Sequence, residues 1–327
     1  MGHVFITRAL PGRAVELLAA AGHSLETWPG ELPPPPEVLA ASLATADAAL
    51  TTVVDFVSLA MLAAAPRLKI VANMAVGYDN VDPEAAAGLG IWVTNTPGVL
   101  AETTADMAWA LLMAAARNVV ASDRDTRAGG WQTWSPTGFL GVDVFGATLG
   151  IVGLGEIGEA VARRATGFKM RVLYHSRTRK PALEADLGLE YRALPDLLAE
   201  SDFVSLHTPL TPETRHLMST GQFAAMKASA ILVNTSRGGV VDQHALVEAL
   251  RSGAIGGAAL DVTTPEPLPV DSPLYDFPNV VITPHIASAS LATRSRMAEM
   301  AAENIIAVLE GRPPIHPVNH PANPRPT

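Results

Sequence analysis

The stretch LGIVGLGEIGEAVARRATGFKMRVLYHSRTRK, residues 149–180, decides how the chain folds. A short apolar run leads into a glycine-rich turn, a helical pattern follows, and a second apolar run ends the stretch. This order predicts a β-α-β unit that binds a dinucleotide. The first glycine permits a tight turn, the second lets a pyrophosphate approach the backbone, and the third lets the helix pack on the strand. Phosphate binding is assigned to these glycines and the helix N-terminus: Gly153, Gly155, Glu156, Ile157 and Gly158.

The second strand of this unit ends without the acidic residue that an NAD-selective site would use to bind the ribose hydroxyls. Ser176, Arg177 and Thr178 stand there instead, followed by Arg179 and Lys180. Two hydroxyls flanking a guanidinium suit a 2′-phosphate, which a carboxylate would repel. The sequence therefore predicts that NADP(H) is preferred. NAD(H) also serves if Arg177 only stacks on the adenine.

Composition narrows the class of protein. At 327 residues the chain is long enough for two domains, and its net charge of −9 argues against a nucleic acid or an anionic membrane as partner. The chain has no cysteine, so it forms no disulfide and no Cys-ligated metal site, and we expect no metal. The N-terminus resembles a strand rather than a signal peptide, and no apolar run is long enough to span a bilayer. We expect a cytoplasmic protein.

Short apolar runs alternate with Ala- and Leu-rich helical stretches, which predicts parallel sheets covered by helices. We expect α/β architecture with two Rossmann-like, doubly wound parallel-sheet domains, one inserted in the other. The pattern indicates one long helix over 103–126, and a final helix over 292–309 that packs on the first region. Only the Pro-rich tail from Arg312 onward suggests disorder. Strands are predicted at 4–7, 48–52, 70–73, 92–95, 149–152, 171–174, 203–206, 230–233, 258–260 and 280–283.

Polar residues follow four successive predicted strands of the second region. In an open doubly wound sheet, ligands bind at the carboxyl ends of the strands, so these residues are expected to share one site. The four groups are His207-Thr208-Pro209, the segment 234–239 (NTSRGG), Asp261 with Glu266, and Pro284-His285.

Together these motifs resemble the D-2-hydroxyacid dehydrogenase family over nearly the whole chain. The similarity rests on VGLGEIG, NTSRGGVVD, LDVTTPEPLP and TPHIASA, while YHSRTRK, GGWQTW and EPLPVDSPL are most similar to the glyoxylate/hydroxypyruvate reductases within it. The resemblance implies a flavodoxin-like, substrate-binding domain over 1–98 plus 290–327. It implies a Rossmann domain that binds the dinucleotide over 99–289.

The resemblance also implies a catalytic trio of Arg237, Glu266 and His285, and each residue type suits the reduction of a 2-keto acid. A histidinium is a good proton donor to the carbonyl oxygen because its pKa lies near the operating pH. A neighbouring carboxylate favours the charged imidazole and fixes its tautomer. The planar guanidinium of Arg237 can bind the substrate carboxylate and polarise the keto oxygen.

Further substrate contacts are implied outside this trio. In AVGYDNVD the backbone N–H groups of Val76 and Gly77 would bind the substrate carboxylate, although a plain glycine turn would look the same. Leu100 would form an apolar wall. The Gly- and aromatic-rich segment AGGWQTWSPTGFLGVDVFG, residues 128–146, is interpreted as a loop or crossing arm and is called the arm below. Its second tryptophan, Trp134, would reach the active site of a neighbouring subunit in a homodimer; the alternative is a tryptophan that anchors its own arm.

The remaining cofactor contacts are also implied by the resemblance. Thr104 is either a cofactor contact or a simple helix cap. Asp261 would bond the nicotinamide carboxamide, and Thr235-Ser236 would present carbonyls to the same ring. The expected groove residues are His207, Thr208, Pro209, Thr214, Thr235, Ser236 and Asp261.

The sequence thus predicts a homodimeric oxidoreductase that reduces glyoxylate to glycolate and hydroxypyruvate to D-glycerate with NADPH. Its partner molecules are small 2-keto or 2-hydroxy acids. Alternatives within the family are enzymes of the phosphoglycerate, formate or phosphite dehydrogenase type. A further alternative is a dinucleotide-sensing corepressor-like binding protein, which shares the fold but depends on a partner-peptide groove.

Overall fold

The computed structural model describes residues 1–326, which divide into two compact units. The first unit comprises Met1–Leu100 together with the chain from Ala289 onward, and the second comprises Ala101–Ser288. Each unit is built around one parallel sheet. No helix within residues 1–326 is long and apolar enough to cross a membrane.

The first unit contains a five-stranded parallel sheet in the order β2-β1-β3-β4-β5. This is the flavodoxin-like order, in which the chain reverses direction across the sheet between β1 and β3. The strands are β1 His3–Ile6, β2 Ser24–Thr27, β3 Ala48–Thr51, β4 Ile70–Asn73 and β5 Trp92–Thr94.

The second unit contains a seven-stranded parallel sheet in the order β12-β11-β10-β9-β6-β7-β8. Counted within the unit, this is the Rossmann order with a seventh strand added, and the reversal lies between β6 and β9. The strands are β6 Thr148–Val152, β7 Arg171–His175, β8 Glu190–Tyr191, β9 Phe203–Leu206, β10 Ile231–Asn234, β11 Gly257–Leu260 and β12 Val280–Ile282.

Twelve α-helices accompany the strands within the described residues. Most strand-to-strand connections contain one, which a parallel sheet requires. They are α1 Ala14–Ala20, α2 Pro36–Thr45, α3 Leu59–Ala63, α4 Pro83–Gly88, α5 Ala101–Ala116, α6 Val119–Arg127, α7 Glu156–Ala165, α8 Pro181–Leu187, α9 Leu194–Glu200, α10 Thr220–Ala225, α11 Gln243–Ser252 and α12 Leu291–Leu309.

The cores lie on both faces of each sheet. In the first unit Phe5 faces a cluster that includes Leu43 and Leu62. Its neighbours in β1, Val4 and Ile6, point to the other face, toward Leu18 of α1 and Ile305 of α12. Alternating strand residues therefore enter opposite cores, as the two-residue repeat of a strand dictates. The final helix packs on the first region, as the sequence indicated.

The predicted fold class is confirmed, but two short strands escaped the sequence reading. β2 at SLET has largely exposed side chains, and β8 contains only two residues. Both lie at sheet edges, where one neighbour and partial burial leave little apolar signal.

The single helix predicted over 103–126 is wrong, because the chain forms α5 and α6 with a break at Asn118. This residue adopts a left-handed conformation, φ +52°, which asparagine tolerates better than most residues. Its side-chain amide donates to the carbonyl oxygen of Leu140 at 2.9 Å. A contact distant in sequence therefore supports the break, which helical periodicity does not reveal.

The Pro-rich tail makes specific contacts with the first unit within residues 312–326, contrary to the disorder that its composition suggested. The Val318 N–H donates to the Val93 carbonyl at 2.8 Å, which extends the sheet edge at β5. The Asn319 side chain accepts from the Val93 N–H at 2.8 Å and donates to the carbonyls of Pro83 and Ile91 at 2.8 and 3.0 Å. The tail thus pairs main-chain groups of the first unit that would otherwise need water.

We expect Asn319→Ala to lower the free energy of unfolding by roughly 2–4 kcal/mol, because three main-chain groups lose their partner in a site that is only 7% exposed. Equilibrium urea unfolding followed by circular dichroism measures this loss. Asn323→Ala is the matched control, since Asn323 is an exposed asparagine of the same tail. Equal stabilities for the two variants would contradict the structural role of Asn319.

Candidate active site

The glycine turn after β6 lies directly against the segment after β9. Gly153 has φ +98°, and a Cβ at this position would stand 2.7 Å from the His207 carbonyl oxygen. The turn therefore needs a residue without a side chain for both its backbone conformation and its close approach. β6 and β9 flank the reversal point of the seven-stranded sheet, where doubly wound folds bind their ligands.

Helix α7 begins at this turn without a side-chain cap. Its N-cap residue is Gly155, whereas α4 and α11 begin at Asp82 and Asp242, whose carboxylates accept hydrogen bonds from the first turn. A Cβ on Gly155 would meet no atom within 4 Å, so space lies open beside the helix end. Uncapped N–H groups beside open space fit the phosphates of a dinucleotide.

Three buried polar atoms lie at the carboxyl ends of β9 and β10 and have no hydrogen-bond partner within residues 1–326: His207 Nδ1, Thr208 Oγ1 and Thr235 Oγ1. Buried polar groups without a partner are rare in native proteins and require an explanation. β9 and β10 are paired neighbours, so the three atoms belong to one edge of the sheet. Their clustering fits a bound polar cofactor at this edge.

The His207 ring is suited to a neutral role. Burial lowers its pKa to about 4, so the imidazole carries no charge at neutral pH. Its Nε2 lies 2.8 Å from the Ser205 hydroxyl. A neutral ring at the carboxyl end of β9 can approach a cofactor without adding charge.

In the loop after β7, two groups that the sequence offered for a phosphate already have partners within the protein: the Ser176 hydroxyl and the Arg179 guanidinium. The Ser176 hydroxyl donates to the Thr178 carbonyl at 2.6 Å, so its proton is used within the loop. Arg179 is paired with Glu184 through two contacts of 2.7 and 2.8 Å. Its charge is therefore neutralised locally. Arg177 is exposed, which leaves its guanidinium accessible to a ligand.

Tyr174 stabilises this loop through its hydroxyl, a role that the sequence did not predict. Its buried ring carries a hydroxyl that donates to Glu184 at 2.6 Å and accepts from the Lys180 N–H at 2.7 Å. The hydrogen bonds to Arg179 and Tyr174 lower the pKa of the Glu184 carboxyl to about 2. The only sequence signal was a tyrosine inside an apolar strand, which sequence analysis reads as core.

His285 and Glu266 lie together. Nδ1 of His285 is 2.9 Å from Oε2 of Glu266, and the two side chains are 28% and 31% exposed. The other carboxylate oxygen accepts from the Thr263 N–H at 2.9 Å. Burial opposes ionisation of Glu266, but the hydrogen bond and charge of His285, the Thr263 N–H and the charge of Arg237 outweigh it, so that the pKa of Glu266 is lowered.

Arg237 follows β10, and the chain brings it near the same carboxylate. The next residue, Gly238, packs so closely on the Thr263 peptide that a Cβ would overlap the Thr263 carbonyl. The side chain of Asn234 donates to the Arg237 carbonyl at 3.0 Å and accepts from the Ser236 N–H at 3.0 Å. Two loops are therefore held together, one carrying the guanidinium and the other the carboxylate.

Asp261 is 1% exposed and organises the segment that carries His285. Its carboxylate accepts from the Thr283 hydroxyl at 2.6 Å and from the N–H groups of Ile286 and Ala287 at 2.8 and 2.7 Å. The predicted contact with a nicotinamide carboxamide would add to these three hydrogen bonds. The structural role of Asp261 was not foreseen from the sequence.

The other predicted cofactor residues have these surroundings. Thr104 is the fourth residue of α5 and is 3% exposed, so the alternative that it caps the helix is wrong. The Thr214 hydroxyl donates to the Pro209 carbonyl at 2.6 Å and accepts from the Thr211 N–H at 2.8 Å, which closes the turn after β9.

The predicted substrate residues Val76, Gly77 and Leu100 belong to the first unit. Val76 and Gly77 are half-buried in the segment after β4, and Leu100 is 9% exposed. In the second unit, Trp131 and Trp134 are 73% and 79% exposed, so Trp134 does not anchor its own arm in the described chain.

Comparisons with known proteins identify relatives over nearly the whole length. Residues 109–287 match the model of the D-isomer specific 2-hydroxyacid dehydrogenase NAD binding domain. A glyoxylate reductase of Korarchaeum cryptofilum is 54% identical over 97% of this chain and 95% of its own. One of Thermococcus kodakarensis is 50% identical over 97% and 96%.

Solved structures give the same picture. A Thermus thermophilus protein superposes with a TM-score of 0.92 at 52% identity, over 97% of this chain and 99% of its own. An NADPH-dependent glyoxylate/hydroxypyruvate reductase of Sinorhizobium meliloti, in complex with NADP and malonate, gives 0.85 at 32% identity over 99% of each chain. With the glycine turn, the cluster of unpartnered polar atoms and the His–Glu pair, these matches show that the chain belongs to the D-isomer specific 2-hydroxyacid dehydrogenase family and is an NAD(P)-dependent dehydrogenase.

Proposed function

We propose that this protein reduces glyoxylate to glycolate and hydroxypyruvate to D-glycerate, with NADPH preferred over NADH. The observation that carries the proposal is the 2.9 Å contact between His285 and Glu266 beside the charge of Arg237. The relatives named as glyoxylate reductases, about half identical over the whole chain, support the substrate class. They favour it over substrates of the phosphoglycerate, formate and phosphite dehydrogenases.

When bound, the nicotinamide cofactor supplies the hydride, and the protein supplies the proton and the orientation. His285 gives its Nε2 proton to the keto oxygen as general acid. Glu266 accepts the hydrogen bond from Nδ1, which fixes the tautomer and stabilises the imidazolium. Arg237 binds the substrate carboxylate and polarises the carbonyl group with its planar guanidinium.

The proposed preference for NADPH rests on the loop after β7. Arg177 is exposed at the end of the second strand of the nucleotide fold, where a carboxylate would favour NADH. The Ser176 hydroxyl closes a turn by donating to the Thr178 carbonyl, and the Tyr174 hydroxyl accepts from the Lys180 N–H just beyond it. The Arg177 guanidinium is therefore presented from a fixed loop. A fixed loop loses less conformational freedom when it binds a phosphate.

A homodimer is part of the proposal. Apolar side chains of the arm stand exposed within a short segment, and such patches mark interaction sites in proteins. The exposed set is Trp131, Trp134, Phe139, Leu140 and Phe145. A second copy of the chain would cover this surface, and Trp134 would enter the partner's active site and restrict it to small substrates.

We expect His285→Ala to lower kcat with glyoxylate by about 10²–10⁴-fold, because a methyl group cannot transfer the proton. Initial rates with glyoxylate, hydroxypyruvate and pyruvate, with NADPH and NADH, measure this on the wild type and the variant. His244→Ala is the control, since His244 is exposed on α11. A near-normal rate for His285→Ala would dismiss it as the acid, and absence of turnover by the wild type would reject the proposed reduction of 2-keto acids.

We expect Arg177→Ala to raise KM for NADPH by roughly 10- to 100-fold while KM for NADH changes little, because only NADPH carries the 2′-phosphate. Steady-state kinetics with both cofactors at saturating keto acid provide the measurement. Arg251→Ala removes an exposed arginine from α11 and serves as the control. Equal increases for both cofactors would defeat the assignment of Arg177 to the phosphate.

We expect Trp134→Ala to change the ratio of kcat/KM between pyruvate and glyoxylate by roughly tenfold, since it would enlarge the pocket that accepts the 2-keto acid. Trp131→Ala, which removes the other exposed tryptophan of the arm, is the matched control. Sedimentation of each variant reports whether the dimer persists. An unchanged ratio in a dimeric Trp134→Ala would exclude this residue from the pocket.

A further inference from the structure

Three consecutive peptide groups after β4 have their carbonyl oxygens held by the first unit. The Ala75 carbonyl accepts from the Thr96 N–H at 2.9 Å. The Val76 carbonyl accepts from the Asn95 side-chain amide at 2.8 Å, and the Gly77 carbonyl accepts from the Asn73 side-chain amide at 3.0 Å. These three hydrogen bonds fix the planes of three successive peptides.

The N–H groups of the same peptides are available. In a trans peptide the N–H points opposite to the C=O of the same plane, so an anchored carbonyl also sets the direction of the next residue's N–H. Within residues 1–326, the N–H groups of Val76, Gly77 and Tyr78 donate no hydrogen bond to the protein. Successive available N–H groups are a recurring anion-binding arrangement.

The two asparagines are themselves held in place. Asn73 is fully buried, and its side-chain amide exchanges two hydrogen bonds with that of Asn80, at 3.1 and 3.2 Å. The side-chain oxygen of Asn73 also accepts from the Thr51 hydroxyl at 3.2 Å. Asn80 in turn donates to the Asp55 carbonyl at 2.9 Å. Asn95 directly follows β5, which fixes the start of its own segment.

We propose that Asn95 and Asn73 are positioning residues for the substrate. By holding the carbonyls of Val76 and Gly77, they aim the N–H groups of Gly77 and Tyr78 at the carboxylate of the 2-keto acid. The Val76 N–H, set by the hydrogen bond between the Ala75 carbonyl and the Thr96 N–H, completes a row of three donors. This inference rests on the proposed function, and it adds a third backbone donor and two side chains that act through the backbone. Neither asparagine touches the reacting carbon, so substrate binding depends on them more than the chemical step does.

Asn95→Ala tests the proposal most directly, because Asn95 is only half-buried and the substitution removes one anchor. We expect KM for glyoxylate to rise about tenfold, while kcat and KM for NADPH stay within about twofold of the wild type. Asn95→Ser, whose hydroxyl is too short to reach the Val76 carbonyl, should behave like Asn95→Ala. It provides a second variant should the first fail to fold.

Asn279→Ala is the matched control. Asn279 is also half-buried and donates to one main-chain carbonyl, that of Gly256, at 2.9 Å, but it precedes β12 and so lies at the amino end of the strands. Its loss should leave both KM values unchanged. If Asn95→Ala and Asn279→Ala give the same KM for glyoxylate, or if kcat alone falls, the proposal is overturned.

A binding measurement separates this inference from the proposed function. Oxalate, a dianion of similar shape to glyoxylate, is titrated calorimetrically into the NADP-loaded protein, and we expect its Kd to rise about tenfold in Asn95→Ala. If the wild type reduces no 2-keto acid, the proposed function fails while this titration still decides the inference. Equal oxalate affinity in wild type and variant, or none in the wild type, overturns it.

Discussion

The arrangement of the His285–Glu266 pair depends on the buried carboxylate of Asp261. Besides the Thr283 hydroxyl, it accepts the N–H groups of Ile286 and Ala287, and its own main-chain carbonyl accepts the N–H of His285 at 2.9 Å. These bonds hold His285 at φ +54°, a left-handed conformation that costs about 1–2 kcal/mol for a residue with a Cβ. Strain of this kind persists only where the surroundings over-determine it. The unusual backbone and the buried charge therefore belong together, and their joint effect is to turn the imidazole toward Glu266.

Much of this could be predicted from the sequence because parallel strands impose simple rules. Polar residues that follow successive buried strands meet at one sheet edge, and this sufficed to join His207, Arg237, Glu266 and His285 in one unit before any coordinates were known. Three of the strands that carry them, β9, β10 and β11, are fully buried, and β12 is partly buried but wholly apolar, so their apolar signal was strong. The glycine triplet added the position of the reversal point.

The parts that were missed lack a local signal. β8 is two residues long at a sheet edge, and the break at Asn118 is supported by an amide contact with Leu140, which lies 22 residues away. The tail is rich in proline, yet Asn319 makes three hydrogen bonds to groups more than 220 residues distant. Tyr174 is part of the core, as its apolar strand indicated, and its hydroxyl also holds a loop. In each case a side-chain hydrogen bond or an edge position decided the outcome, and neither leaves a periodic trace in sequence.

The two units fix their main chains with side chains of opposite hydrogen-bonding type. In the second unit, the acceptor Asp261 binds main-chain N–H groups of the segment that carries His285, and so positions the His285 side chain. In the first unit, main-chain N–H groups must themselves remain available, so the holders must take the carbonyls instead. Only a donor can do this, and the amides of Asn95 and Asn73 are donors that bring no charge of their own. A carboxylate in either position could not donate and would place negative charge beside groups proposed to bind an anion, which is why the chemistry of this segment calls for asparagine.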